Sequence, residues 1–199
     1  MIKSICDIII DLLKKNNIIT LHDEDIYYFG IYQTMSFIIN SVTSLIIFVT
    51  MNKIIEGFVF CIFYYFLRCF GGGYHSRSIL YCYILSSLLI VMVLRIISYI
   101  KIHPFIIILG IFSFLTVFLI SPVETQTKTL DSVERKVYKK KVRAFLIFAL
   151  FFIVILRMIN FEKGIICIIL SFVIESIMQI VGKIDNFYNN PYSRETKNN

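Results

Sequence analysis

IIEGFVFCIFYYFLRCF-GGGYHSRS-ILYCYILSSLLIVMVLRII, residues 54–97, is the stretch whose reading decides the fold. Two apolar runs, Ile54 to Phe70 and Ile79 to Ile97, flank a short polar, glycine-rich segment. A helix that crosses the hydrocarbon core of a bilayer needs roughly 20 residues, within a working range of about 17–25. The second run meets that length, while the first is short and carries Glu56 near its start and Arg68 near its end, so it is expected to span the bilayer or to be tilted, partly buried or broken. Gly71, Gly72 and Gly73 lie between them, and consecutive glycines weaken any helix through their backbone entropy. The stretch reads as two spanning helices joined by a sharp turn.

The same pattern extends in both directions. Ile26 to Asn52 contains no Asp, Glu, Lys or Arg, and a span is expected there at about 33–51. Further spans are expected at Pro104 to Ser121, at about Ala144 to Ile159 and at about Gly164 to Gly182, the last interrupted by Glu175. Pro104 suits the first turn of a helix. In residues 2–15, Ile2, Ile5, Ile9, Leu12 and Leu13 recur at helical spacing while Lys3, Asp7, Asp11 and Lys14 fall elsewhere. That is an amphipathic helix, lying on the membrane surface or packed as a cap on the protein. The expected fold class is an all-α polytopic membrane protein with about six transmembrane helices plus an N-terminal amphipathic helix. No Ser/Pro/Gly-rich linker and no internal repeat divides residues 1–199, which read as a single integral membrane domain.

Composition agrees. The hydrophobic share is 58% and the mean hydropathy is +0.80, more apolar surface than a core of this size can hide. Lipid is the expected solvent for much of it. Lys53, Arg95, Lys101, Arg157 and Lys163 fall on one side of a six-span arrangement, and the other fifteen of the 20 Lys and Arg fall on the opposite side. Positive charge marks the cytoplasm. The expected localisation is therefore the cell membrane, multi-pass, with both termini, the 71–78 loop and the 122–143 loop cytoplasmic.

Several function classes drop out. The net charge of +7 lies between apolar runs rather than along one face, and no reading motif accompanies it, so nucleic acid is not an expected partner. Five cysteines, an odd number with no CxxC pair, suggest neither a disulfide framework nor a zinc site; no metal or cofactor is expected. Asp7, Asp11, Lys14 and Lys15 interrupt any signal-peptide core. Phosphate-transfer chemistry with Mg²⁺ wants paired carboxylates, and no Asp or Glu occurs from Gly57 to Val123.

The segment that carries chemistry is Arg68-Cys69-Phe70-Gly71-Gly72-Gly73-Tyr74-His75-Ser76-Arg77-Ser78, followed by Ile79-Leu80-Tyr81-Cys82. On one continuous helix, His75 and Cys82 would be separated by about 10.5 Å of rise. They can meet only if the helix starts after His75, with Ser76 or Ser78 as a possible N-cap, and the loop folds back. Cys82 would then lie near a positive helix end beside an imidazole, the surroundings of a nucleophilic thiolate. The other reading is a plain loop, with His75 an interfacial polar residue and Cys82 a packed thiol. The residues alone leave both open. An acidic partner for His75 would come from a distant segment; Glu24, Glu124 and Glu175 are the candidates.

Arg68, Gly72, Gly73, His75 and Cys82 together resemble the Arg…Gly-Gly-x-His-x6-Cys pattern of the accessory gene regulator protein B family, membrane cysteine endopeptidases of Gram-positive quorum sensing. Ser121-Pro122-Val123 with the basic Lys139-Lys140-Lys141, and Ile174-Glu175-Ser176, are similar to further family features. Ile26-Tyr27-Tyr28-Phe29-Gly30-Ile31 departs from the family's Tyr-Gly by the intervening Phe29. The resemblance implies that Cys82 is the nucleophile and His75 its general base, with Arg68, Gly72 and Gly73 as supporting motif positions. It also implies a partner: a small precursor peptide with an amphipathic leader and an acidic tail. The tail would be cut off through an acyl-thioester on Cys82, and the remainder would close into a thiolactone or lactone ring, an autoinducing peptide intermediate. Lys139, Lys140, Lys141 and Glu175 are the candidate substrate contacts, and a homodimer is plausible for a small membrane enzyme. Without the cysteine chemistry, the same spans would suit a non-enzymatic peptide exporter or scaffold.

Overall fold

In hydrocarbon every backbone N–H and C=O must find a partner within the chain, and a helix meets that requirement locally. The computed structural model describes residues 2–16, 18–19, 23–74, 79–124 and 130–189, and among these the secondary structure is helical with no strand. The helices are α1 (Ile2–Lys15), α2 (Glu24–Thr50), α3 (Ile54–Gly71), α4 (Ile79–Tyr99), α5 (Pro104–Ile120), α6 (Ser132–Met158) and α7 (Glu162–Asn189). The amphipathic α1 covers the expected residues and packs on α2.

Among the described residues, four helices are long and apolar enough to cross a membrane: Glu24–Thr50, Ile54–Gly71, Leu80–Tyr99 and Glu162–Phe187. The chain is a multi-pass membrane protein of α class. The other two expected spans correspond to α5, apolar but only 17 residues long, and to α6. The latter begins well before the expected Ala144. Asp131 and Glu134 form a reciprocal capping box that starts the helix at Ser132, so a basic half (Arg135 to Arg143) precedes the apolar half. Likewise α2 begins at Glu24 rather than near residue 33, since no proline or glycine pair stops the helix between them.

The bundle is built around α7. Of its apolar window 61% is buried, against 6% for that of α2, which places α7 at the centre and α2 at the periphery. One apolar cluster joins Phe63 and Leu67 of α3, Val117 of α5, Leu146 and Ala149 of α6, and Ile168 and Phe172 of α7. A second joins Phe48 of α2, Phe60 of α3, Val93, Leu94 and Ile97 of α4, and Ile166 and Cys167 of α7. Lipid tails are as apolar as leucine, so shape and ring contacts rather than transfer from water bind such helices. Phe63 meets Phe145 and Phe152 with ring centroids 5.5 Å apart in each case. Between α2 and α4 the link is polar: Thr43 Oγ1 and Tyr83 Oη share a hydrogen bond of 2.9 Å, and Ser86 Oγ donates to Asn40 Oδ1 at 3.1 Å.

Gly57 shows how close α2 and α3 lie, because a Cβ there would run into the ring of the buried Phe48. Gly30 is the contrast: nothing lies within 4 Å of the Cβ it lacks. Gly57→Val should cost about 1–3 kcal/mol by overpacking. Gly30→Ala, in the interior of α2, should gain about 0.5–1 kcal/mol through helix propensity. Thermal unfolding in detergent checks both signs: the midpoint falls for the first and rises slightly for the second.

Candidate active site

At one end of the bundle α3 runs out at Gly71, and the chain reverses through Gly72 (φ 73°, ψ −144°) and Gly73 (φ 112°). Both lie where side-chain-bearing residues rarely go. Space gives a second reason for glycine. A Cβ on Gly72 would strike the carbonyl oxygen of Val123, and one on Gly73 would lie 2.9 Å from the carbonyl oxygen of Met178. The turn can hug α7 because Gly182 meets it there: a Cβ on Gly182 would lie 2.5 Å from the backbone nitrogen of Tyr74.

Hydrogen bonds fix this reversal from three sides. From within, Arg68 Nη1 donates to the carbonyl of Gly72 at 2.7 Å, and Nη2 donates to the carbonyl of Tyr74. From α7, the carbonyl of Met178 accepts the N–H of Tyr74 at 2.9 Å. From the segment after α5, the N–H of Val123 donates to the carbonyl of Gly71 at 2.8 Å, and Gly72 and Val123 form an isolated parallel bridge. That segment is itself held. Asn186 Nδ2 donates to the carbonyl of Glu124 at 2.5 Å, and Arg135 pairs with the Glu124 carboxylate.

Beneath the turn lie the fully buried Glu175 and Gln179. Gln179 Nε2 donates to Ser121 Oγ at 2.8 Å, to Glu175 Oε1 at 3.0 Å and, at 3.4 Å, to the carbonyl of Gly71. Arg68 is within electrostatic range of Glu175, yet the two form no ion pair among the described residues, because the guanidinium is turned onto the backbone.

Cys82 occupies the first turn of α4 and is half-buried. Its carbonyl accepts from Ser86 Oγ at 2.8 Å. Arg68 lies in the last turn of α3, and Glu175 Oε1 lies 2.8 Å from where a Cβ on Gly71 would be, so both stand at the end of α3 that leads to α4 and Cys82. His75 lies outside the described residues. Of the acids considered as its partner, Glu24 pairs with Lys14 at 2.6 Å, Glu124 with Arg135, and Glu175 accepts from Gln179. Lys139, Lys140 and Lys141 are exposed on the basic half of α6, where Lys141 Nζ sits 4.9 Å from the ring centroid of Phe70. Glu175, by contrast, is buried within the chain's own packing. No cluster of three or more His, Cys, Asp or Glu able to hold a metal occurs among the described residues.

Gln179 is the residue of this site that sequence reasoning missed. Its signal was available: an amide in an otherwise apolar run, one helical turn after the buried acid.

Gly72→Ala should lose about 1–3 kcal/mol from backbone strain alone, before the collision with Val123 is counted. Limited proteolysis is the check: the variant should be cut between α5 and α6 faster than wild type, and its thermal midpoint should fall.

The family model described as accessory gene regulator B matches residues 6–179, a range that takes in Arg68, the three glycines, Cys82, Glu175 and Gln179. No curated protein and no solved structure matches the chain. The chain belongs to the accessory gene regulator B family, whose role is the processing and export of autoinducing peptide in quorum sensing.

Proposed function

We propose that this protein is a membrane-embedded cysteine endopeptidase and peptide cyclase, with both termini and the Gly71–Ser78 loop on the cytoplasmic side. Its substrate is a small precursor peptide with an amphipathic leader and an acidic C-terminal tail. Cys82 attacks the carbonyl that precedes the tail. A carbon–sulfur bond forms, the peptide C–N bond breaks, and the departing amine takes its proton from His75, the general base of the preceding step. A Cys or Ser side chain of the bound peptide then gives its proton to His75 and attacks the thioester. The ring closes and Cys82 leaves as thiolate. The thioester keeps its acyl-transfer potential, so ring closure needs no ATP, provided water is kept from the intermediate.

One observation carries this reading: Cys82 stands in the first turn of α4, on the far side of a turn held by the Arg68 guanidinium and by glycine backbone. Thiolates are stabilised at helix N-termini and near basic groups. Family membership over residues 6–179 supports the same substrate class.

Mass spectrometry of a precursor peptide, co-expressed with wild-type protein or with Cys82→Ala, tests the chemistry. Wild type should shorten the peptide and give a product one water lighter than the linear fragment, and the variant should give neither. Normal processing by Cys82→Ala would leave the exporter or scaffold in place of the peptidase.

The exposed Lys139, Lys140 and Lys141 are assigned to attraction of the acidic tail, in addition to anchoring α6 at the membrane surface. Changing all three to Ala should raise KM several-fold at low salt, leave kcat near wild type and flatten the salt dependence of kcat/KM. Cleavage at the normal rate and KM would remove the lysines from the mechanism.

A further inference from the structure

Two oxygens beneath the turn have no hydrogen-bond partner among the described residues, Glu175 Oε2 and Gln179 Oε1. Both residues are fully buried, one turn apart on α7, and Gln179 Nε2 donates to Glu175 Oε1 at 3.0 Å. Buried polar atoms are nearly always paired, so two orphans on one already bonded pair of side chains call for a common explanation.

A carboxylate has only acceptors, and an amide oxygen is an acceptor too. With Glu175 ionised, neither orphan has anything to offer the other. A proton on Oε2 supplies the missing donor, and Gln179 Oε1 is the acceptor left over on the same pair. The two hydrogen bonds then close the ring that a carboxylic acid and an amide form together. Turning the amide of Gln179 over does not remove the need. Its oxygen would then lie 3.0 Å from Glu175 Oε1 and 3.4 Å from the carbonyl oxygen of Gly71, acceptor against acceptor.

Among the described residues, the neighbouring elements leave the donor unsupplied. From α3, Arg68 directs Nη1 and Nη2 at the carbonyls of Gly72 and Tyr74 and, like Tyr64, makes no hydrogen bond to Glu175 among the described residues. Residues 104–120 of α5 contain no Asp, Glu, Lys or Arg, and Ser121 just beyond accepts from Gln179. From α6, the Arg143 guanidinium lies over the ring of Phe118 at 4.5 Å, with its own Nε unpartnered among the described residues. From α4, Cys82 is the titratable group that shares the surroundings of Tyr64.

We infer that Glu175 is carried as the neutral carboxylic acid, hydrogen-bonded through both oxygens to Gln179, and that this neutral pair is the positioning unit beneath the turn leading to His75. Gln179 then joins the acid to the carbonyl of Gly71 and to Ser121, so one pair sets both the turn and the 121–124 segment against which it rests. Because the acid carries no charge, Arg68 keeps its guanidinium for the turn carbonyls. The positioning half of the inference rests on the peptidase reading; the protonation half does not.

Glu175→Gln keeps the shape, the neutrality and a donor, and should process a precursor peptide at within about twofold of the wild-type kcat, while Glu175→Ala and Gln179→Ala should lose about tenfold or more in kcat with KM little changed. A loss in Glu175→Gln as large as in Glu175→Ala would mean that a charged carboxylate is required, and would overturn the inference. Full activity in Glu175→Ala would overturn the positioning role. Infrared spectroscopy of the protein reconstituted in lipid at neutral pH reads the protonation state without activity. A protonated-carboxyl C=O band should be present in wild type and missing in Glu175→Gln, and its absence from wild type would overturn the neutral pair. If the band is present while Cys82→Ala processes normally, the peptidase reading fails and the neutral pair stands.

Discussion

The guanidinium of Arg68 folds back on the chain that leaves its own helix and takes hold of the carbonyls of Gly72 and Tyr74. A backbone carbonyl buried without a partner costs about 1–3 kcal/mol. A sharp reversal between two spanning helices creates several such groups at once. One planar, always-charged donor can satisfy two of them in fixed geometry, which an ammonium group could not do with the same precision. The glycines, the bridge from Gly72 to Val123 and the close approach to α7 all presuppose that clamp.

The central position of α7 follows from the same end. Met178, Gln179 and Gly182 each meet the turn through a different kind of contact: a carbonyl, an amide side chain and bare backbone. Toward the opposite end α7 is apolar and packs through Ile165, Ile168, Ile169 and Phe172 into the bundle. Polar contacts therefore set the register of α7 against the turn, and apolar ones set its distance from α3, α5 and α6. The polar contacts are directional, so they fix which residues of α7 meet the turn.

Much of this was legible in the residues. Charge-free runs bounded by Lys and Arg mark helices in a bilayer, and the order of the apolar helices follows those runs from Ile26 to Gly182. The glycine turn could be read because three glycines between two apolar runs admit few other structures. Two things were not legible. Helix starts at Glu24 and Ser132 lie outside the apolar windows, since a helix that leaves the membrane keeps its backbone hydrogen bonds while its side chains turn polar. Nor could the direction of Arg68 be read. Sequence allowed it to snorkel, to meet a substrate carboxylate or to pair with Glu175, and only the path of the turn decides that it meets backbone. Gln179 escaped because the spans were marked by their lack of charge, and an amide carries none.

Arg68 and Glu175 lie within electrostatic range of each other without pairing, and this arrangement bears on the chemistry proposed for Cys82. Thiolate chemistry needs positive surroundings, and a carboxylate in the same low-dielectric space would oppose it. An ion pair between Arg68 and Glu175 would offset the positive charge and compete with the turn carbonyls for the guanidinium. A neutral Glu175 avoids both consequences, because the partly buried Arg68 keeps its charge and stays fastened to the turn. The acid then contributes shape and hydrogen bonding only, which explains why it is joined to an amide rather than to the guanidinium nearby.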